Sequence, residues 1–285
     1  MPQHRKQWQR WVYFNIESPY FAMLDYKGNY VMDDFKGKLA FNWTMTYRTD
    51  SDVSMLHGWT FKKTAEERVQ ADGEIKTLMS EKTKLAAALV SNCENVRNGR
   101  GTYMKELAKH MNLDVYGSCG TLKCDGHYTK HACGKVKQYK FYLAFENSNC
   151  RDYISFKIWM QGYGNGAVPI VLGAYKEDYL KQVPPGSFIH ADDFESPKEL
   201  AEYLLKLDKD DAAYLKYHEW RKTYSIGYDY RFLGSFAWQS MCSTLNERYS
   251  EPAKWHKKIT DFENENKDCY LNKWVSKQCG GKTCA

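Results

Sequence analysis

A chain of 285 residues that is 43% hydrophobic and 15% aromatic can fill two cores of ordinary size and is not a disordered tail. Its net charge of +6, from 41 basic and 35 acidic side chains, is mild, and the lysines and arginines are scattered rather than gathered into an arm. That distribution argues against nucleic acid as a partner and leaves room for a small anionic ligand.

Met1 is followed by Pro2-Gln3-His4-Arg5-Lys6-Gln7-Trp8 with no apolar leader core, and no run of eighteen apolar residues follows, so no segment of the chain as given is expected to enter a membrane. Residues 10–15 form a β run ended by Ser18-Pro19, and residues 41–47 form a second. Charged residues dominate 62–84, which predicts a linker or helix between two domains. The apolar run 85–92 then stops on small polar residues and gives way to a helical pattern through 103–108. Strand, polar turn and helix in that order open an α/β domain.

The pattern repeats, with a strand at 140–147, a helix at 153–162, a strand at 168–173 and a short extended run at 187–190. Ser196-Pro197-Lys198-Glu199 supplies an N-cap, a proline at the first helical position and an acid three residues in. The helix it starts, 198–207, places Leu200, Tyr203, Leu204 and Leu207 on one face. Strands and helices alternating at this spacing imply a parallel sheet wrapped by helices.

Nine cysteines, many of them in polar, glycine-rich stretches, favour an oxidising compartment, and their odd number leaves at least one thiol without an internal partner. The rival reading is zinc, because Cys119-x4-Cys124-x8-Cys133 and Cys279-x4-Cys284 lie near His127 and His131; the spacings, however, miss the tight CxxC knuckle. One sequon, Asn42-Trp43-Thr44, agrees with secretion and makes Asn42 a candidate glycosylation site.

Ligands of open parallel sheets bind at the carboxyl ends of strands, where loops and helix starts present free N–H groups. Two such ends carry suitable chemistry: Ser91-Asn92 with Arg100 beyond it, and Glu146-Asn147-Ser148 running into Arg151-Asp152-Tyr153 and Lys157. A pyrophosphate needs cations and donors, an aromatic ring can stack on a base, and a carboxylate or amide can hold sugar hydroxyls. On composition alone Arg100 and Lys157 read equally as solvated surface charges.

The strings Phe141-Tyr142-Leu143-Ala144-Phe145-Glu146-Asn147-Ser148, Asp152-Tyr153-Ile154-Ser155-x-Lys157, Gly166-Ala167-Val168-Pro169-Ile170-Val171-Leu172-Gly173 and Pro185-Gly186-Ser187-Phe188-Ile189-His190-Ala191-Asp192-Asp193-Phe194, closed by Trp220-Arg221, resemble the donor half of the α1,3/4-fucosyltransferases, glycosyltransferase family 10. Trp11-Val12-Tyr13-Phe14-x-x-Glu17-Ser18-Pro19 and Phe41-Asn42-Trp43-Thr44-Met45-Thr46-Tyr47-Arg48-x-Asp50-Ser51-Asp52 are similar to that family's acceptor-side motifs, and the 117–124 stretch looks like its invertebrate members. The resemblance covers roughly residues 8–60 and 84–223.

The resemblance implies an α/β protein of GT-B type with two facing Rossmann-like domains. Residues 1–80 would be a partial acceptor-side domain and linker, 81–228 a GDP-fucose-binding domain, and 229–285 a cysteine-containing tail. It implies inverting transfer of fucose from GDP-β-L-fucose to a GlcNAc hydroxyl, in α1,3 linkage, on an N-glycan or related glycoconjugate. Glu17 is then the base, Arg100 and Lys157 bind phosphate, and Ser91, Asn92, Tyr142, Asn147 and Tyr153 complete the donor site. For Tyr142, within a strand, core packing is the competing role. No metal is needed where Arg and Lys neutralise the leaving group, and Asp50-Ser51-Asp52 and Asp192-Asp193 only superficially resemble metal-binding pairs. The implied place is the Golgi lumen, with the family's membrane anchor and first acceptor-side strands lying outside this chain.

Tail cysteines of relatives bridge to one another or to the N-terminal domain. Cys279–Cys284 is accordingly the preferred local bridge and Cys119–Cys124 the second, with Cys242 a candidate stranded thiol. Two positions depart from the family pattern. Phe156 stands where a Glu usually precedes the phosphate Lys, and together with the short front this suggests, as the alternative, a catalytically impaired relative that binds nucleotide or glycan. One extra residue lies between Lys157 and Val168, where Gly162, Gly164 and Gly166 can absorb it.

Overall fold

The computed structural model describes residues 6, 8–22, 41–93, 96, 98–124, 133–228, 235–252, 256, 262–278 and 280. The aromatic front forms a small parallel sheet of β1 (Val12–Asn15), β2 (Trp43–Thr46) and β3 (Val53–Ser54), in that order, with the short helix α1 (Pro19–Ala22) after β1. The strand β4 (Gly58–Lys62) then leads into the charged stretch, which is two helices, α2 (Ala65–Val69) and α3 (Ala71–Ser80). A capping box starts α2: Thr64 Oγ1 accepts from Glu67 N at 3.3 Å, and Glu67 Oε2 accepts from Thr64 N at 2.7 Å.

The second sheet is wholly parallel. It comprises β5 (Lys84–Leu89), β6 (Leu113–Tyr116), β7 (Tyr139–Phe145), β8 (Val168–Leu172) and β9 (Ile189–His190), in the spatial order β6-β5-β7-β8-β9. Helices α4 (Arg100–Leu107), α5 (Lys176–Gln182), α6 (Pro197–Asp208) and α7 (Asp211–Leu215) accompany it. Alternate residues of the central strands serve two cores. Ala86, Ala88, Phe141 and Leu143 pack with Tyr103, Leu107, Leu200 and Leu204, whereas Ala87, Tyr142 and Ala144 pack with Ile158, Trp159 and Trp220. Both faces are therefore buried, which is why the strands read as nearly continuous apolar runs. The cap of α6 forms as expected, with Ser196 Oγ accepting from Glu199 N at 3.2 Å and Pro197 in the first turn.

The chain returns through β10 (Tyr224–Tyr228), antiparallel to β4. The tail α8 (Ser235–Arg248), α9 (Glu265–Asp268) and α10 (Lys273–Gln278) follows. None of β4, β6 and β10 is evident in the sequence: β6 is a half-buried sheet edge, and β4 and β10 mostly pair with each other. The helix expected at 153–162 is shorter and of another kind, a π-helical turn at Lys157–Gly162 followed by a 3-10 turn and by Gly166 at φ 67°. Wider turns of this kind accommodate an added residue. The extra residue expected to relax into glycines thus sits where a π turn is built.

Three disulfides are present among the described residues: Cys93–Cys119, Cys124–Cys133 and Cys150–Cys269. This corrects the expected Cys119–Cys124 pair. Cys119 N donates to Val90 O at 3.0 Å, which seats its thiol over the end of β5, next to Cys93. Cys279 and Cys284 lie outside the described residues, as do His127 and His131. Of the five cysteines in the zinc reading, Cys119, Cys124 and Cys133 are in disulfides, and Cys242, outside that reading, is free and exposed. Asn42 is also corrected as a glycosylation site. Its side chain is wholly buried, with Oδ1 accepting from Trp11 N at 3.0 Å, so a glycan has no access to its amide. Among the described residues no helix is long and apolar enough to cross a membrane.

Candidate active site

The order of the large sheet reverses at β5: the chain steps outward to β6, then crosses back to β7 on the other side. Loops diverge at such a switch point and leave a crevice at the strands' carboxyl ends. Here the crevice holds a cavity of about 130 Å³ lined by Ser91, Asn92, Arg100, Tyr142, Asn147 and Lys157, with Phe156 and Gln161. Six of the seven residues expected to bind a donor thus meet in one place. Its rim is fastened by Cys93–Cys119, which links the loops after β5 and β6. Gly117 permits that approach: it sits at φ 95°, and a Cβ there would meet Val90 O at 2.5 Å and Ser91 Oγ at 2.8 Å.

Arg100, the first residue of α4, is not a solvated surface charge. It is 3% exposed, and its guanidinium donates to two backbone carbonyls, Asn92 O at 2.8 Å and Phe145 O at 3.2 Å, while Nε has no partner among the described residues. Burial pulls its pKa down, opposed by the field of Glu146. None of the ion pairs among the described residues involves Arg100. A buried cation held only by dipoles, beside an empty space, suits an anion.

Lys157 lies in a different setting. Its Nζ donates to Glu146 Oε2 at 2.8 Å and to Ser155 Oγ at 3.0 Å, and Glu146 also accepts from Ser155 N at 2.7 Å and Ser155 Oγ at 2.8 Å. Glu146 is 1% exposed; the sequence placed it at a chemically suitable strand end but gave it no role, and its role here is to hold Lys157. It lies at the end of the same β7 string as Asn147. Phe156 is half-buried, lines the cavity, and has Lys157 Nζ 5.4 Å from its ring centroid.

Glu17 follows β1 in an exposed turn, and residues from the large sheet reach it. Its Oε2 accepts from Tyr153 Oη at 3.0 Å and from Asn147 Nδ2 at 3.4 Å. Ser18 Oγ donates to Ser148 Oγ at 2.9 Å beside it. Tyr153 was expected around a nucleotide sugar; instead its hydroxyl is on Glu17, and its ring packs with Tyr47 and the Cys150–Cys269 bridge. Burial, then the charge of Glu17, pushes the Tyr153 hydroxyl well above its usual range, so it stays a donor. Asp152, at φ 61°, turns the chain for this contact and is held by Thr49, whose N and Oγ1 donate to Oδ2 at 3.1 and 2.8 Å. Asn15 braces Glu17 locally, donating from Nδ2 to Glu17 O at 2.7 Å and accepting at Oδ1 from Glu17 N at 3.0 Å.

His57, which the sequence reading missed, packs its buried ring against Tyr153 and Phe156 and so lies between the two groups of residues. Burial pushes its pKa down to about 4, which leaves it neutral at physiological pH. The acidic pairs are engaged elsewhere. Asp50 pairs with Arg48 at 2.7 Å and Arg151 at 2.6 Å, Asp52 with Arg248 at 3.0 Å, and Asp193 with Lys176 at 2.6 Å, while Asp192 accepts from Asn272. A second cavity, of about 260 Å³, is lined by Tyr20, Asn98, Ser148, Asn149 and tail residues 265, 266 and 269–271; Asn149 Nδ2 is buried there without a partner among the described residues.

Residues 79–265 match the family described as "Glycosyltransferase family 10 (fucosyltransferase) C-term", and residues 1–58 the one described as "Fucosyltransferase, N-terminal". The chain is 41% identical over 239 residues to glycoprotein 3-alpha-L-fucosyltransferase A of Drosophila melanogaster, covering 82% of this chain and 45% of that protein. It is 41% identical over 254 residues to a 3-galactosyl-N-acetylglucosaminide 4-alpha-L-fucosyltransferase of Bos taurus, covering 88% and 62%. It therefore spans about half the length of these relatives. A solved alpha1,3-fucosyltransferase with GDP-fucose aligns at a TM-score of 0.53 and 18% identity, over 88% of this chain and 78% of the other. One with GDP aligns at 0.50 and 17%, over 75% and 71%. At those identities the likeness speaks to the fold, a GT-B arrangement with parallel sheets.

Proposed function

Because the chain belongs to glycosyltransferase family 10, the fucosyltransferases, we propose that it transfers fucose from GDP-β-L-fucose, with inversion, to a GlcNAc hydroxyl in α1,3 linkage. The acceptor in this reading is an N-glycan or related glycoconjugate in the Golgi lumen. The observation that carries it is Arg100, a buried guanidinium that faces a cavity and, among the described residues, is bonded only to carbonyls. The diphosphate of the donor supplies the missing counter-charge, and Arg100 and Lys157 stabilise the negative charge that grows on GDP as it leaves. Charge neutralisation by these two side chains requires no metal in this scheme.

The proton is the other half of the reaction. As the acceptor oxygen attacks the sugar's anomeric carbon on the face opposite GDP, Glu17 takes its hydrogen. The two described hydrogen bonds to the Glu17 carboxylate both fall on Oε2, which leaves Oε1 as the accepting atom. Asn147 lines the donor cavity and touches Glu17, so it links the base to the donor site. The cavity beside Ser148 offers amides, hydroxyls and Tyr20 to an acceptor sugar.

A second reading, a relative that binds the donor and turns over poorly, is favoured by Phe156. Its ring lines the cavity where a carboxylate would accept hydroxyl hydrogen bonds, and a lost buried partner costs about 1–3 kcal/mol. Calorimetry with GDP and GDP-fucose, followed by transfer to a GlcNAc-terminated acceptor, separates the readings. Transfer supports the first, tight binding without transfer the second, and absence of binding sinks both.

A further inference from the structure

The base turn is braced by a residue nearly 250 positions away in sequence. Glu263, in the tail before α9, is wholly buried, and its Oε2 accepts from Asn15 Nδ2 at 3.0 Å and from Tyr13 Oη at 2.9 Å. The same Asn15 side chain clasps both backbone groups of Glu17. A carboxamide that holds the turn at two points, and is itself anchored at its nitrogen, has no rotational freedom left. Glu263 removes the last of it.

The tail is fixed on each side of Glu263. Before it, Arg48 Nη1 donates to Phe262 O, and the guanidinium lies 4.3 Å from the Phe262 ring centroid. After it, Arg48 pairs with Asp268 at 3.3 Å, Arg151 N donates to Asp268 O at 2.7 Å, and Cys269 is bonded to Cys150. Cys150 lies three residues from Tyr153 and Asn147, which hold the Glu17 carboxylate itself. The backbone of the base turn, through Asn15 and Glu263, and its carboxylate, through Asn147 and Tyr153, are thus referred to one rigid point, the Cys150–Cys269 junction.

We propose that Glu263 is a positioning residue for Glu17, through which the C-terminal tail sets the aim of the base toward the acceptor hydroxyl. This rests on the reading of Glu17 as the base. Misplacement of a reacting group by about 1 Å can cost roughly 100-fold in rate, so loss of the brace acts on kcat rather than on donor binding. Donor residues make no contact with Glu263 among the described hydrogen bonds.

The test uses the full chain with Glu263→Ala, Glu263→Gln, Glu17→Gln and the double variant Glu17→Gln/Glu263→Ala, with kcat for transfer and the Kd of GDP measured for each. Glu263→Ala is expected to lower kcat about 10- to 100-fold with GDP Kd unchanged. Glu263→Gln, which keeps an acceptor oxygen for Asn15, recovers most of that loss, and the double variant is no slower than Glu17→Gln alone because the two act as a unit. Unchanged kcat in Glu263→Ala overturns the inference. So does equal loss of kcat and GDP binding in the Ala and Gln variants, which is the mark of a general folding defect. If Glu17→Gln itself turns over normally, the base reading fails first, and a kcat loss in Glu263→Ala would then have to come from another group.

Discussion

The crevice at the ends of β5 and β7 and the turn after β1 are adjacent, but they are built differently. The crevice is assembled from one continuous stretch, in which each strand end delivers its polar residues next to the previous one: Ser91-Asn92 from β5, then Glu146-Asn147 from β7. The base turn is assembled from three distant segments. Glu17 takes its hydrogen bonds from residues 147 and 153, and Asn15 takes its anchor from residue 263. Local β-α-β periodicity positions a ligand cavity. Positioning Glu17, the proposed base, takes long-range side-chain contacts and a disulfide.

If that contrast is right, variants in the two regions separate binding from chemistry. The largest effect is expected at Glu17. Glu17→Gln lowers kcat about 10²- to 10⁴-fold, the usual range for a lost general base, while GDP titrates with the affinity of the parent. Arg100→Met loses transfer too, but with it weakens GDP binding roughly 100-fold, because a diphosphate loses its desolvated cation. The thermal midpoint without ligand is expected to change little, since an uncompensated buried charge leaves along with two hydrogen bonds. Calorimetry and melting curves check the pair.

Cys150→Ser sharpens the comparison from the side of stability. The bridge to Cys269 closes 119 residues, and opening a loop of that length costs about 3–5 kcal/mol in denaturant unfolding. The base turn should loosen first, so activity is lost at denaturant concentrations where GDP still binds. Phe156→Glu is expected to tighten GDP-fucose by about tenfold, since one restored hydrogen bond to a sugar hydroxyl is worth about 1.4 kcal/mol. No gain in affinity or turnover would remove Phe156 from the account.

The smallest effect is a pH dependence of stability. Burial, opposed by the hydrogen bonds of Tyr13 and Asn15 and by Arg48, pushes Glu263 up to about 7 from 4.5. A folded-state pKa above the unfolded one means the native state binds more protons between those values. The contribution of Glu263 is therefore fully present below about pH 4.5 and is lost as pH rises through about 7. Glu263→Gln is expected to flatten that decline in denaturant titrations at pH 5, 6, 7 and 8, and an unchanged slope would place the titration elsewhere.

Which parts were legible in the sequence follows from the same contrast. Four of the five strands of the large sheet and the cap of α6 could be read because each depends on neighbours within a few positions. The six expected residues that line the cavity came instead from the family resemblance, because their types alone fit solvated charges or core packing equally well. Glu146 was visible as a residue but not as the partner of Lys157, since a side chain's preference between ligand and protein is not a pattern in sequence. The base turn was legible only as far as Glu17. Asn15, His57 and Glu263 carry no local signature, and the burial of Asn42 overrides the sequon that singles it out. One expected disulfide, Cys119–Cys124, was misjudged for the same reason. Proximity in sequence favoured Cys119–Cys124, whereas the sheet brings Cys119 to Cys93.

The most direct test of the central claim, that donor binding and base chemistry reside in separate regions, is calorimetric titration of GDP into Glu17→Gln and Arg100→Met, with fucose transfer measured on the same preparations. The account predicts that both lose transfer and that only Arg100→Met loses GDP binding. Loss of GDP binding in Glu17→Gln, or full binding in Arg100→Met, would contradict it.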